Sequence, residues 1–163
     1  MHSTIQNLIE IEKKIQLNLS GLKIINLPKI IAVSKTFKID KILPLIEYGH
    51  LHFGENKVQE AIDKWTNIKL KNPNIKIHMI GKLQTNKVKF AVKLFDYIHS
   101  VDSEKLAQKI ADEQKKINKK IKIFIQINIG EEVQKSGIQK NSINNLIDFC
   151  KKINLDVIGL MCI

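Results

Sequence analysis

The chain has 163 residues, 44% of them apolar, which is enough for one packed core and too apolar for a disordered polypeptide. Its formal charge of +11 comes from 27 basic residues that are all lysine; without arginine for bidentate contacts to bases and phosphates, no nucleic-acid partner is expected. No apolar run is long enough to span a membrane, and the start, M-H-S-T-I-Q-N-L-I-E, lacks the pattern of a signal peptide, so no membrane partner and a cytoplasmic location are expected.

In chain order, Met1 to Leu19 reads as a leading helix with Ile5, Leu8, Ile11, Ile15 and Leu19 on one stripe. Short apolar runs then recur at 30–33 (I-I-A-V), 50–53 (H-L-H-F), 75–80 (I-K-I-H-M-I), 97–101 (Y-I-H-S-V), 121–129 (I-K-I-F-I-Q-I-N-I) and 157–163 (V-I-G-L-M-C-I). Helical stretches lie between them. Val58, Ile62 and Trp65 mark one, Leu106, Ile110 and Ile117 another, and Ile143, Leu146, Ile147 and Cys150 a third. Ser103 suits an N-cap, and K-K-I-N-K-K at 115–120 falls where lysines suit a helix C-terminus. Cys150 and Cys162 are too few for a disulfide framework and are expected as reduced, buried thiols.

Strands alternating with helices predict βα units and a parallel sheet. Two architectures fit, a doubly wound open sheet or a (β/α) TIM-type barrel. The sequence has neither G-x-G-x-x-G nor G-x-x-x-x-G-K-[ST], which weakens the nucleotide-binding sheet, and its six strands are too few to close a barrel. In both architectures chemistry sits at the carboxyl ends of the strands. Those ends read S-K-T (34–36), F-G-E-N (53–56), H-M-I-G (78–81), H-S-V-D-S (99–103) and N-I-G-E-E (128–132).

Lys35 stands out, because an apolar strand delivers it to a rim. A desolvated ammonium there would favour the neutral amine that imine chemistry needs; the plainer alternative is a loop lysine reaching for water. Asn56 could cap the following helix with Gln59 as its box partner. His78 sits in strand alternation and reads as a core histidine, and His52 and His99 call for the same reading. The carboxylates Glu55 and Asp102 form no recognisable ligand spacing with these histidines, so no metal is expected.

Six blocks in order, A-V-S-K (32–35), F-G-E-N-K-V-Q-E (53–60), H-M-I-G-K-L-Q-T-N-K (78–87), S-V-D-S (100–103), Q-I-N-I-G-E-E-V-Q-K-S-G (126–137) and G-L-M-C-I (159–163), resemble the pyridoxal 5′-phosphate homeostasis protein family. The resemblance implies a single partial (β/α)-barrel domain over residues 1–163, like the alanine racemase N-terminal domain, ending at the sixth strand. It implies pyridoxal 5′-phosphate held as an aldimine on Lys35, with Asn56, His78, Ile80 and Met161 about the cofactor. Family members are described as carriers or regulators of vitamin B6 and amino-acid balance, without established turnover and as monomers; a racemase-like enzyme, or a fragment with impaired cofactor binding, is the alternative. Lys57, Lys82 and Ser103 depart from the family's usual aromatic, histidine or proline, and arginine. In the family the chain continues past G-L-M-C-I with serine-rich and R-I-G-type segments that hold the phosphate and face the pyridine nitrogen. An incomplete barrel with open edges, which invite association, is therefore expected.

Overall fold

The computed structural model describes residues 2–22, 27–130, 134 and 136–163. Helix α1 (Ser3–Leu19) leads, followed by β1 (Ala32–Val33), α2 (Leu43–Glu47), β2 (His52–Glu55), α3 (Val58–Lys71), β3 (Lys76–Met79) and α4 (Val88–Leu94). Then come β4 (Tyr97–Val101), α5 (Glu104–Lys116), β5 (Lys122–Gln126), α6 (Ile143–Lys152) and β6 (Asp156–Met161). All six strands are parallel and lie in the order of the sequence, so each pairs with its chain neighbours and β1 and β6 form the two edges. This is the expected TIM-type arrangement, left open.

Strand alternation sorts the side chains onto two faces. Phe53, Ile77, Met79, Ile98, Ile123 and Ile125 are buried and join the core cluster with Trp65 and Ala61 of α3, Val88 and Ala91 of α4, Ile110 of α5 and Cys150 of α6. The other face carries rings in sequence across the strands. His78 stacks on Tyr97 at 4.2 Å, and His99 stacks on Phe124 at 4.2 Å.

Helix ends follow their local chemistry. Ser103 caps α5, accepting from Leu106 N at 3.3 Å, and Lys115 and Lys116 lie in that helix's last turn. Asn56 does not cap α3; the N-cap is Lys57, and Gln59 donates instead to Asp63 at 3.1 Å. The reason is the strand: β2 runs through Glu55, so the helix begins one residue later than the capping-box pattern suggests. In α1 the stripe is only lightly buried, with Leu8 enclosed and Ile11 47% exposed, since that helix packs mainly on the short α2. Cys150 is buried, as expected, and burial pushes its thiol up to about 11, whereas Cys162 is exposed because it follows the edge strand β6. No helix of the described residues is long and apolar enough to cross a membrane.

Candidate functional site

The carboxyl end of β1 is fixed by Ser34. Its N–H donates to Gly54 O at 2.9 Å, extending the pairing with β2 past Val33. Its hydroxyl donates to Glu55 Oε1 at 2.7 Å. Its carbonyl accepts from Phe37 N at 3.2 Å and from Lys64 Nζ at 2.8 Å. The chain therefore turns over Lys35 and Thr36. Thr36 has φ +66°, the left-handed region that a β-branched residue avoids at a cost of about 1–3 kcal/mol. Lys35 itself is exposed. The apolar run before it suggests desolvation, but β1 has only two residues and Lys35 falls in the exposed turn that follows it.

Glu55 was legible only as a carboxylate near a strand end. It is fully buried on the helix side of β2, and its Oε1 accepts from Ser34 Oγ, Lys64 Nζ at 2.9 Å and Trp65 Nε1 at 2.9 Å. Its Oε2 has no partner among the described residues. Period-two alternation from Phe53 could have found it, since both must face α3.

Asn56 and Gly81 meet above β2 and β3. A Cβ on Gly81 would lie 2.4 Å from Asn56 O, so no larger residue fits while the two loops are this close. Asn56 Oδ1 is buried and has no partner among the described residues. Asn56 lines a cavity of about 330 Å³ with Met79, Lys82 and Lys87. Ile80 lines a neighbouring one of about 240 Å³ with Gly81, Lys82, Gln126, Asn128 and Ser136. Met161 is paired with Gln126, and its carbonyl accepts from Ile127 N at 2.8 Å. Asn56, Ile80 and, through Gln126, Met161 are thus gathered at one end of the sheet, while Lys35 lines neither cavity. Gly137, at φ +122°, brings the loop after β5 back against Asn128 N, where a Cβ would lie at 2.6 Å. Glu131, Glu132, Val133 and Lys135 of the matching block lie outside the described residues.

The three strand histidines form one connected arc. His52 Nδ1 lies 3.0 Å from His78 Nε2, and His78 Nδ1 lies 2.9 Å from His99 Nε2. Both nitrogens of His78 are therefore spent on neighbouring rings. Burial, then the charges of His99, His52, Lys29 and Lys69, push His78 down to about 3. Burial alone pushes His99 down to about 4. His52 is lowered by burial and by Lys29, His50 and Lys76, against an opposing pull from Asp96. A neutral imidazole in the middle of such a row donates one bond and accepts the other. His78 is buried on the sheet face opposite the helix-side core; that it belongs to a row could not be read from one strand.

Parallel strands in sequence order, with polar residues gathered where they end, define the partial barrel of a fold that carries its chemistry on the rim. The profile described as "Alanine racemase, N-terminal domain" matches residues 13–163. The pyridoxal phosphate homeostasis protein of Pasteurella multocida is 36% identical over 163 residues, covering 97% of this chain and 69% of that one. Its counterpart in Buchnera aphidicola subsp. Schizaphis graminum is 43% identical over 153 residues, covering 91% and 64%. PipY of Synechococcus elongatus, solved with pyridoxal phosphate bound, superposes with a TM-score of 0.75 at 32% identity over 91% of this chain and 70% of that one. The chain belongs to the alanine racemase N-terminal domain family and, within it, to the pyridoxal phosphate homeostasis proteins. It spans roughly two thirds of the length of these relatives, 64% to 70%.

Proposed function

We propose that this chain binds pyridoxal 5′-phosphate, with the Lys35 amine as its covalent anchor, and serves the intracellular homeostasis of vitamin B6 and amino acids. The observation that carries the reading is the turn at residues 34–37: a primary amine at the end of the first strand, between the costly φ of Thr36 and a Ser34 whose N–H, carbonyl and hydroxyl are all hydrogen-bonded. PipY, which shares this fold at 32% identity, is described with the same cofactor.

The residues present suit such a guest. Pyridoxal phosphate supplies an aldehyde that condenses with amines. Lys35 offers the amine, exposed in the turn that follows the first strand. The Oδ1 of Asn56, without a partner among the described residues, offers a buried acceptor that is costly to leave unsatisfied. Lys82 and Lys87 place positive charge beside it, suited to a phosphorylated ligand. Ile80 and Met161 supply apolar surface, and His78, kept neutral, adds no positive charge to the sheet face beneath. Residues 1–163 would work as one partial barrel, in a cytoplasmic monomer, carrying the cofactor without turnover.

The test is to add the cofactor, reduce with borohydride and map the pyridoxyl group by mass spectrometry. Label concentrated on Lys35, and lost in Lys35→Ala without a change in folding, is the expected result. Label scattered over surface lysines and sparing Lys35 overturns the proposal. Alanine racemisation abolished by Lys35→Ala would replace the carrier reading with an enzymatic one.

A further inference from the structure

We infer that Glu55 and Lys64 are positioning residues for Lys35, acting through the backbone of Ser34. Ser34 is 3% exposed, and its N–H, carbonyl and hydroxyl are all engaged. Two of those bonds come from the ion pair. Lys64 Nζ bridges Glu55 Oε1 at 2.9 Å and Ser34 O at 2.8 Å, and Glu55 Oε1 receives the Ser34 hydroxyl at 2.7 Å. The pair is enclosed, with side-chain exposure of 13% for Lys64 and none for Glu55. Trp65, fully buried, adds a third donor to the same oxygen and ties the pair to α3.

The arrangement is asymmetric in a telling way. All three donors converge on Oε1, while Oε2 is left without a partner among the described residues. A buried ion pair with half its carboxylate unsatisfied is a poor source of stability, and apolar residues of similar size commonly do as well or better. What apolar residues cannot do is hold the Ser34 carbonyl. That carbonyl is also the acceptor for Phe37 N, which closes the turn containing Lys35 and the left-handed Thr36. Strained backbone persists only where its surroundings over-determine it. The pair supplies that excess of constraint, one residue away from the amine, so that Lys35 leaves the sheet in one direction. The role rests on the reading of Lys35 given above.

The experiment compares the wild-type chain with the double variant Glu55→Gln, Lys64→Met, which removes both charges together and avoids the unpaired buried charge that either single change leaves. Thermal unfolding first establishes that the variant is folded. Amide exchange at Phe37 is then measured in the cofactor-free protein, with Ile98 in β4 as the internal reference, and Lys35 is trapped with pyridoxal phosphate and borohydride. The expected result is a melting temperature near that of the wild type, Phe37 exchange at least about tenfold faster with Ile98 unchanged, and at least about tenfold less label on Lys35. A folded variant with wild-type exchange at Phe37 and wild-type labelling overturns the inference. Should the wild type itself take no label on Lys35, the cofactor reading fails, while exchange at Phe37 still decides whether the pair holds the turn.

Discussion

Acidification from pH 8 to pH 5 is expected to weaken the fold through the histidine row. An unfolded histidine titrates at 6.5, whereas His78 and His99 are held down to about 3 and about 4. Below pH 6.5 the unfolded chain therefore binds protons that the folded chain refuses, and stability falls as pH falls. At pH 5 each histidine that stays neutral costs about 2 kcal/mol relative to pH 8, from 1.36 kcal/mol per unit. Residual solvent screening around the rings lowers the combined effect to about 2–4 kcal/mol. The loss begins just below pH 6.5 and levels off as pH approaches 4 and then 3. Glu113, lowered to about 2 by its hydrogen bonds from Lys109 and Lys116, loses its own contribution only below about 4.5, and Lys119, held down to about 8 by burial, is almost fully charged by pH 7, so the change from pH 7 to pH 5 isolates the histidines. Urea unfolding at fixed ionic strength, read at pH 8, 7, 6 and 5, measures the change. A midpoint that stays flat over this range, or His78 ring resonances titrating near 6.5, would refute the reasoning.

Three further outcomes follow from single side chains. Gly81→Ala forces a methyl group to 2.4 Å from Asn56 O and should cost about 1–3 kcal/mol, seen as a lower urea midpoint; an unchanged midpoint would contradict the close approach. Trp65→Phe removes the indole donor to Glu55 Oε1 and should cost about 1–3 kcal/mol in the same measurement, with the ring's packing against Phe53 largely retained. Thr36→Gly relieves the φ of +66° and should gain up to about 1 kcal/mol; a loss would show that the threonine side chain, and not its backbone, matters at that turn.

Much of this architecture is written in one-dimensional pattern. Tyr97 to Val101 reads as a strand and is one, because apolar and aromatic residues alternate between clear boundaries. Helices α3, α5 and α6 announce themselves through Val58 and Trp65, Leu106 and Ile110, and Leu146 and Cys150, all of which are buried. The 50–53 run, by contrast, marks a strand at 52–55, since Gly54 and Glu55 carry no apolar signal yet pair with His78 and Met79. Short helices escape too: α2 spans Leu43–Glu47 and α4 spans Val88–Leu94, too brief to show a period clearly. At the site, Lys35 is visible as an anomaly at the end of an apolar run. The contacts that hold its turn are not, because Ser34, Glu55 and Lys64 are joined only by folding. The histidine row is hidden for the same reason, since register between strands has no trace in any one of them.

The order of the sheet carries a consequence for how the molecule comes into being. Each strand finds its partner in the segment made immediately before it, so no pairing has to wait for a distant part of the polypeptide. Parallel pairing must close a crossover each time, and among the described residues each crossover between neighbouring strands carries one α-helix. The chain can therefore lay down its sheet one βαβ unit at a time as it leaves the ribosome, with each new strand docking on a template already in place.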